Sequence, residues 1–126
     1  MHETRIQTRW TDFDALGHVT HVAYPVILDE ARDAFLASTV GAFADWPSVI
    51  VHLSVDYKRE IAHPAPELAV RTRVADVGRT SVTFEQEVLA PDGAVAATSR
   101  SVLVAWEADA RSSRAISSDE RTKLLG

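Results

Sequence analysis

One stretch of helical period dominates this sequence, and it is apolar on too many sides to lie on a flat sheet. From about His21 to Thr39, the residues Tyr24, Ile27, Leu28, Ala31, Ala34 and Phe35 recur at the spacing of one helix face, with Asp29, Arg32 and Asp33 opposite. Val26 and Leu36 widen the apolar stripe, which predicts a helix buried on more than one side. Pro25 falls in the first turn, where its missing N–H costs little, and Gly41 marks the exit. A helix of this kind needs a sheet that curves around it.

The strands for such a sheet follow the helix. Val49, Val51, Leu53, Val55 and Tyr57 alternate with Ile50, His52, Ser54, Asp56 and Lys58, so they predict one strand. After the break at His63-Pro-Ala-Pro66, Leu68 to Val74 predicts a second, with Arg71 and Arg73 facing the other way. A third carries Val82, Phe84 and Val88 against Thr83, Glu85 and Glu87. Pro91-Asp-Gly93 marks a hairpin, and a last strand runs from about Val95 to Trp106. A first strand from about Thr4 to Trp10 precedes the helix. Ser117-Ser-Asp-Glu120 starts a short helix within a polar tail that begins at about residue 108. Consecutive strands with short links are expected to pair antiparallel. The expectation is one α+β domain over residues 1–126, an antiparallel sheet of about five strands wrapped on one long central helix.

Bulk properties narrow the function. A chain of 126 residues with 46% hydrophobic and 25% charged residues suits one soluble globular domain. A net charge of −5 argues against a nucleic-acid surface. The absence of cysteine removes thiol nucleophiles, disulfides and Cys-based metal sites. Met1 to Arg9 is polar, unlike a signal peptide, and no apolar run reaches membrane-spanning length. No membrane partner is therefore expected, and the expected location is cytoplasmic.

The chemistry concentrates just ahead of the helix, in Asp12-Phe-Asp14-Ala-Leu-Gly17-His18-Val19. Two carboxylates one residue apart precede a glycine turn and then a helix N-terminus, whose unpaired N–H groups suit a developing negative charge. Taken alone, such a pair is more often a solvated turn. Asp12 is read as structural, bonding turn amides or pairing with an arginine. His18 and His21 lie three apart, but no third well-placed ligand accompanies them, so no metal site is expected.

The segment Arg9-Trp-Thr-Asp12-Phe-Asp14-Ala-Leu-Gly17-His18-Val19 is continued by Tyr24 and Leu28-Asp-Glu30-Ala31-Arg32. With Val55-Asp-Tyr57, Val77-Gly78-Arg79-Thr-Ser81 and Asp92-Gly93, it resembles the hotdog-fold acyl-CoA thioesterases of the 4-hydroxybenzoyl-CoA thioesterase type over nearly the whole chain. The resemblance implies the hotdog fold and hydrolysis of an acyl-CoA or acyl-carrier thioester. Asp14 would then be nucleophile or general base, the His21 backbone N–H an oxyanion donor, and Gly17 the turn that presents that face. It implies substrate contacts at His18 and Tyr24, and CoA contacts near Lys58, Arg59, Arg79, Thr80 and Ser81, often from a neighbouring subunit. At His18 a packed or loop-bonding role outweighs proton transfer. No cofactor is implied beyond CoA as part of the substrate. The implied assembly is a homodimer or a homotetramer of two dimers, with the last strand or the second long strand at the interface.

Two features depart from the family. Thr20 and His21 stand where many relatives carry two asparagines, which leaves acyl preference open. His63-Pro-Ala-Pro66-Glu67 replaces the usual glycine–aspartate turn. Pocket depth is expected to depend on Tyr24, Leu28, Trp46, Val49 and a partner chain. Two other functions fit the same pattern. A hotdog hydratase or dehydratase needs an Asp/His or His/Glu pair on or beside the helix, and Glu30 has no evident histidine partner. A non-catalytic acyl-CoA or acyl-carrier binding protein would keep the same binding residues.

Overall fold

Strand β1 (His2–Gln7) opens the computed structural model, which describes residues 1–126. The chain then makes two 3-10 turns, Trp10–Asp12 and His21–Ala23, before the central helix α1 (Tyr24–Thr39). Strands β2 (Ser48–Tyr57), β3 (Glu67–Val77), β4 (Ser81–Leu89) and β5 (Val95–Glu107) follow. A two-residue β6 (Ser112–Ser113) and helix α2 (Ser118–Leu125) complete the fold. The sheet is antiparallel with the order β1-β3-β4-β5-β2, and β6 adds to the end of β5. This is the expected α+β hotdog arrangement, with two local boundaries moved. β1 stops at Gln7 because Asp12 accepts from the Arg9 amide and turns the chain into a 3-10 turn. The central helix likewise begins as a 3-10 turn through His21.

Consecutive pairing holds for β3, β4 and β5 but fails between β2 and β3. β2 pairs with β5 and β3 pairs with β1, so these neighbours in sequence lie apart in the sheet. The segment between them crosses under the start of α1 and bonds to the loop there. The Val19 amide donates to Ile61 O (2.9 Å) and the His63 amide to Gly17 O (2.8 Å). Because β3 and β5 are each paired on both edges, neither has the free edge expected of an interface strand. β2 has one.

β2 also breaks its own alternation. A bulge between Ile50 and His52 transfers the apolar set from one face to the other. Leu53, Val55 and Tyr57 lie beside Ser101, Ser99 and Ala97 on the helix-facing side, whereas Val49 faces outward with Val104.

The buried side of α1 is Tyr24, Ile27, Leu28, Ala31, Arg32 and Leu36. Fully burying an Ile or Leu side chain contributes about 1.5–3 kcal/mol, so Ile27 and Leu28 anchor the helix. Two expectations are corrected here. Val26 is 45% exposed and does not widen the buried stripe within one chain. Arg32, placed on the polar side, is 2% exposed. Its guanidinium donates to Gln86 Oε1 (3.0 Å) and Asp29 (3.3 Å). Gln86 in turn donates to Leu28 O and Thr72 Oγ1, each at 3.1 Å. This polar layer divides the core in two, one part around Tyr24, Ile27, Leu28 and Val70, the other around Leu36, Trp46, Phe84 and Leu103. α2 closes the second part through Leu124.

Candidate active site

The loop from Trp10 to Thr20 is built by its own polar groups. Asp12, nearly buried, accepts from the Arg9 amide (2.8 Å) and from Arg9 Nε (3.4 Å), while its carbonyl accepts from the Thr20 amide (2.8 Å). Arg9 also reaches Glu30 on α1 at 3.0 Å, which pins the loop to the helix. Phe13 then pairs with Val19, and the Asp14 amide donates to His18 O (3.1 Å). Within that narrow neck the Leu16 amide donates to Asp14 Oδ1 and the Gly17 amide to Asp14 O, both at 3.0 Å. Gly17 has φ +77°, so the chain reverses at the residue best suited to the left-handed region.

Asp14 therefore keeps one carboxylate oxygen on the turn and turns the other to the Nε2 of His18, 3.2 Å away. On the far side of the ring, His18 Nδ1 lies 2.9 Å from Glu60 Oε2. The hydrogen bond to Glu60 is the main cause that holds the imidazole pKa above its ordinary value; burial opposes it, and the charges of Asp14 and Glu60 add to the rise. Glu60 belongs to the crossing segment, and no periodic signal in the sequence pointed to it.

Asp14 forms part of the wall of two clefts. One, of about 360 Å³, is also lined by His18, His21, Tyr24, Tyr57, Lys58 and Arg59. The other, of about 730 Å³, is lined by Thr8, Arg9, Trp10, Phe13, Gly17 and His63. Trp10 is 90% exposed there, and the Phe13 and His63 rings meet edge to face at 5.0 Å. At the helix start the Thr20 and Ala23 amides are occupied by Asp12 O and Thr20 O. Those of His21 and Val22 donate to no group of the chain. Tyr24 is buried, which raises its phenol pKa, and its ring packs edge-on against Tyr57.

The structure thus brings together Asp14, Gly17, His18, His21, Tyr24, Lys58 and Arg59. It does not bring Arg79, Thr80 and Ser81 to them within one chain. Arg79 and Thr80 lie in the β3–β4 turn and Ser81 begins β4, at the opposite end of the sheet, roughly 27 Å away along β4 by strand rise. There Arg79 O accepts from the Ile116 amide, and Arg121 bonds the neighbouring carbonyls of Val77 and Gly78. Trp46 is also remote, buried in the second core part with its indole N–H donating to Glu120 at 2.6 Å. It does not set pocket depth here. No group of three or more His, Asp or Glu side chains is arranged to hold a metal ion, and no helix is long and apolar enough to cross a membrane.

Comparison with known proteins bears on the family and the fold. Residues 8–123 match the model of the thioesterase-like superfamily. The PA5185 protein of Pseudomonas aeruginosa is 30% identical, with a TM-score of 0.87 over 98% of this chain and 89% of that one. A predicted thioesterase from Bacillus stearothermophilus is 29% identical, with a TM-score of 0.85 over 97% and 92%. A Thermus thermophilus thioesterase crystallised with coenzyme A and zinc is 27% identical, with a TM-score of 0.85 over 97% and 90%. No curated protein matches. The chain belongs to the thioesterase-like superfamily.

Proposed function

We propose that this chain hydrolyses acyl-CoA thioesters, with Asp14 as nucleophile or as general base for a water and the His21 amide polarising the carbonyl. One observation carries the reading: the Asp14 carboxylate and the helix start with its undonated His21 amide line a single cleft. Attack turns the thioester carbonyl into an oxyanion. An N–H at a helix N-terminus, backed by the helix dipole, stabilises that charge, and losing one such donor typically costs about two to three orders of magnitude in rate. Lys58 and Arg59 on the same cleft supply the positive charge that CoA phosphates need. Arg59 is partly compensated by Asp92 at 3.2 Å, which leaves Lys58 the freer cation. The coenzyme A bound by the Thermus thermophilus relative supports a CoA substrate. The reading uses no metal and no separate cofactor.

The site is completed by a second copy of the chain. β2 has an unpaired edge, and around it Ile50 (48% exposed), Leu53 (37%), Val22 (62%) and Val26 (45%) leave apolar surface open. A homodimer, or a dimer of dimers, would cover this surface and carry Arg79, Thr80 and Ser81 toward a neighbour's cleft. Sedimentation of a monomer at micromolar concentration would remove the oligomer from the reading.

The reaction is tested by incubating the protein with short, long and aromatic acyl-CoAs while free thiol is recorded, with Asp14→Asn alongside. Thiol release abolished by Asp14→Asn is expected. Release that survives the substitution removes Asp14 from the chemistry. Hydration of an enoyl-CoA, or binding without turnover, would point to a hydratase or to a carrier protein instead.

A further inference from the structure

Glu60 has no part in the reaction as drawn so far, yet it completes a line of three side chains. Its carboxylate accepts from Nδ1 of His18 at 2.9 Å, and Asp14 meets Nε2 of the same ring at 3.2 Å. The two ends come from different segments that the backbone clamps together. His18 pairs with Ala62, and the Val19 and His63 amides donate across the same junction to Ile61 O and Gly17 O. The Glu60 backbone thus sits beside this clamp and not at the end of a free loop. Side-chain exposure rises from 28% at His18 and 34% at Asp14 to 68% at Glu60, so the outer carboxylate is the one nearest solvent.

We propose that Glu60 is a positioning residue for thioester cleavage, holding His18 as an imidazolium with Nδ1–H toward Glu60 and Nε2–H toward Asp14 and the departing sulfur. The inference rests on the hydrolase reading above. A ring protonated on both nitrogens needs an acceptor at each, and the two carboxylates supply them. A carboxylate on the far nitrogen fixes ring orientation and stabilises the charged ring, as in other histidine-centred sites.

The bonds balance as follows when Asp14 is the general base. Water oxygen bonds to the carbonyl carbon while its proton passes to Asp14. The tetrahedral oxyanion collapses, the C–S bond breaks, and the sulfur keeps the electron pair and takes the Nε2 proton of His18. The proton on Asp14 then moves across the 3.2 Å contact to Nε2, restoring both groups. The products are a carboxylic acid and a free thiol.

Other groups also face the ring. Lys58 and Arg59 from the crossing segment oppose its charge, Arg59 being partly neutralised by Asp92. His21 and Tyr24 at the helix start and Tyr57 on β2 line the same cleft. The raised imidazole pKa is caused first by Glu60 and opposed by burial, with Asp14 adding to the rise.

The test measures thiol release from the best acyl-CoA of the panel across pH 5–10 for wild type, Glu60→Ala, Glu60→Gln and Glu60→Asp. His18 is titrated in parallel by two-dimensional ¹H–¹⁵N NMR of the ligand-free proteins. Glu60→Ala is expected to lower kcat about tenfold to a hundredfold, below the full worth of a general acid, with KM within about twofold. Because the acid acts protonated, the alkaline limb of kcat should move to lower pH together with the His18 midpoint. Glu60→Gln should move both the same way, and Glu60→Asp should restore them in part. An unmoved limb and midpoint in Glu60→Ala, while Asp14→Asn abolishes turnover, overturn the relay and leave the hydrolase reading standing. Absence of turnover in wild type, or turnover indifferent to Asp14→Asn, overturns both.

Discussion

The phenol of Tyr57 on β2 donates to the carbonyl oxygen of His21 at 3.1 Å, tying the edge of the sheet to the turn that opens the central helix. That carbonyl shares a rigid peptide plane with the Val22 amide, so the bond aims one free N–H and steadies the His21 amide beside it. Tyr57→Phe would keep the edge-on contact with Tyr24, 5.1 Å between ring centres, and remove only the hydroxyl. The expected loss is about 1 kcal/mol or less in stability and a several-fold fall in kcat with KM little changed. Steady-state kinetics and a thermal melt decide it. Equal kcat in the variant would mean the turn holds its aim without Tyr57.

Gly17 is constrained by its backbone and not by space. A methyl group added there would meet no heavy atom within 4 Å, yet φ is +77°. Gly17→Ala should therefore cost about 1 kcal/mol through the left-handed penalty. It should also lower kcat, because Gly17 closes the turn that positions Asp14. Chemical denaturation would check the first effect and thiol release the second. Wild-type stability in the variant would show that the loop relaxes at no cost.

How much of this was legible in the sequence follows from the range of each interaction. The helix and strands were readable because their periods are local. Asp14, Gly17, His18 and His21 fell into one loop by adjacency alone. Lys58 and Arg59 joined them because the crossing segment bonds back to that loop, a contact that no spacing encodes. The same long-range contact hid Glu60. The order of the sheet was misread for a similar reason, since β2 prefers β5 over its sequence neighbour. A one-residue bulge at Val51 then defeated a clean alternation. Arg32 looked solvated because charge is usually a guide to exposure, and its burial is compensated by Asp29 one turn away and by Gln86, more than fifty residues on.

That buried pair has a measurable signature. Arg32→Met alone leaves Gln86 Oε1 without its donor, and Gln86→Leu alone leaves Arg32 with only the exposed Asp29. Each should destabilise by about 1–3 kcal/mol, and more for the stranded charge. The double variant Arg32→Met/Gln86→Leu should recover part of the loss, because neither member of the Arg32–Gln86 bond is then stranded, although Leu28 O loses its Gln86 donor. Its success depends on Thr72 Oγ1, which also loses a partner. A double-mutant cycle from urea melts reads the coupling directly, and strictly additive losses would deny it.

At the other end of the molecule, Glu120 couples folding to pH. Arg114 meets its two oxygens at 2.9 and 2.8 Å, the Ser117 amide caps one and the Trp46 indole the other. These bonds, Arg114 first, lower its pKa from 4.5 to about 2. The folded state thus refuses a proton that the unfolded chain accepts. The stabilisation is present in full above about pH 4.5 and is lost as pH falls toward about 2. At roughly 1.4 kcal/mol per pKa unit the effect reaches about 3 kcal/mol at most. Glu120→Gln keeps an acceptor for the cap but loses the charge facing Arg114. The variant should be less stable than wild type at neutral pH, and the gap should close progressively between pH 4.5 and 2. Comparing the two proteins cancels the other acidic groups, such as Asp92, whose pKa is also lowered in the fold. A gap that stays constant across that window would show that Glu120 stabilises by packing and capping rather than by its charge.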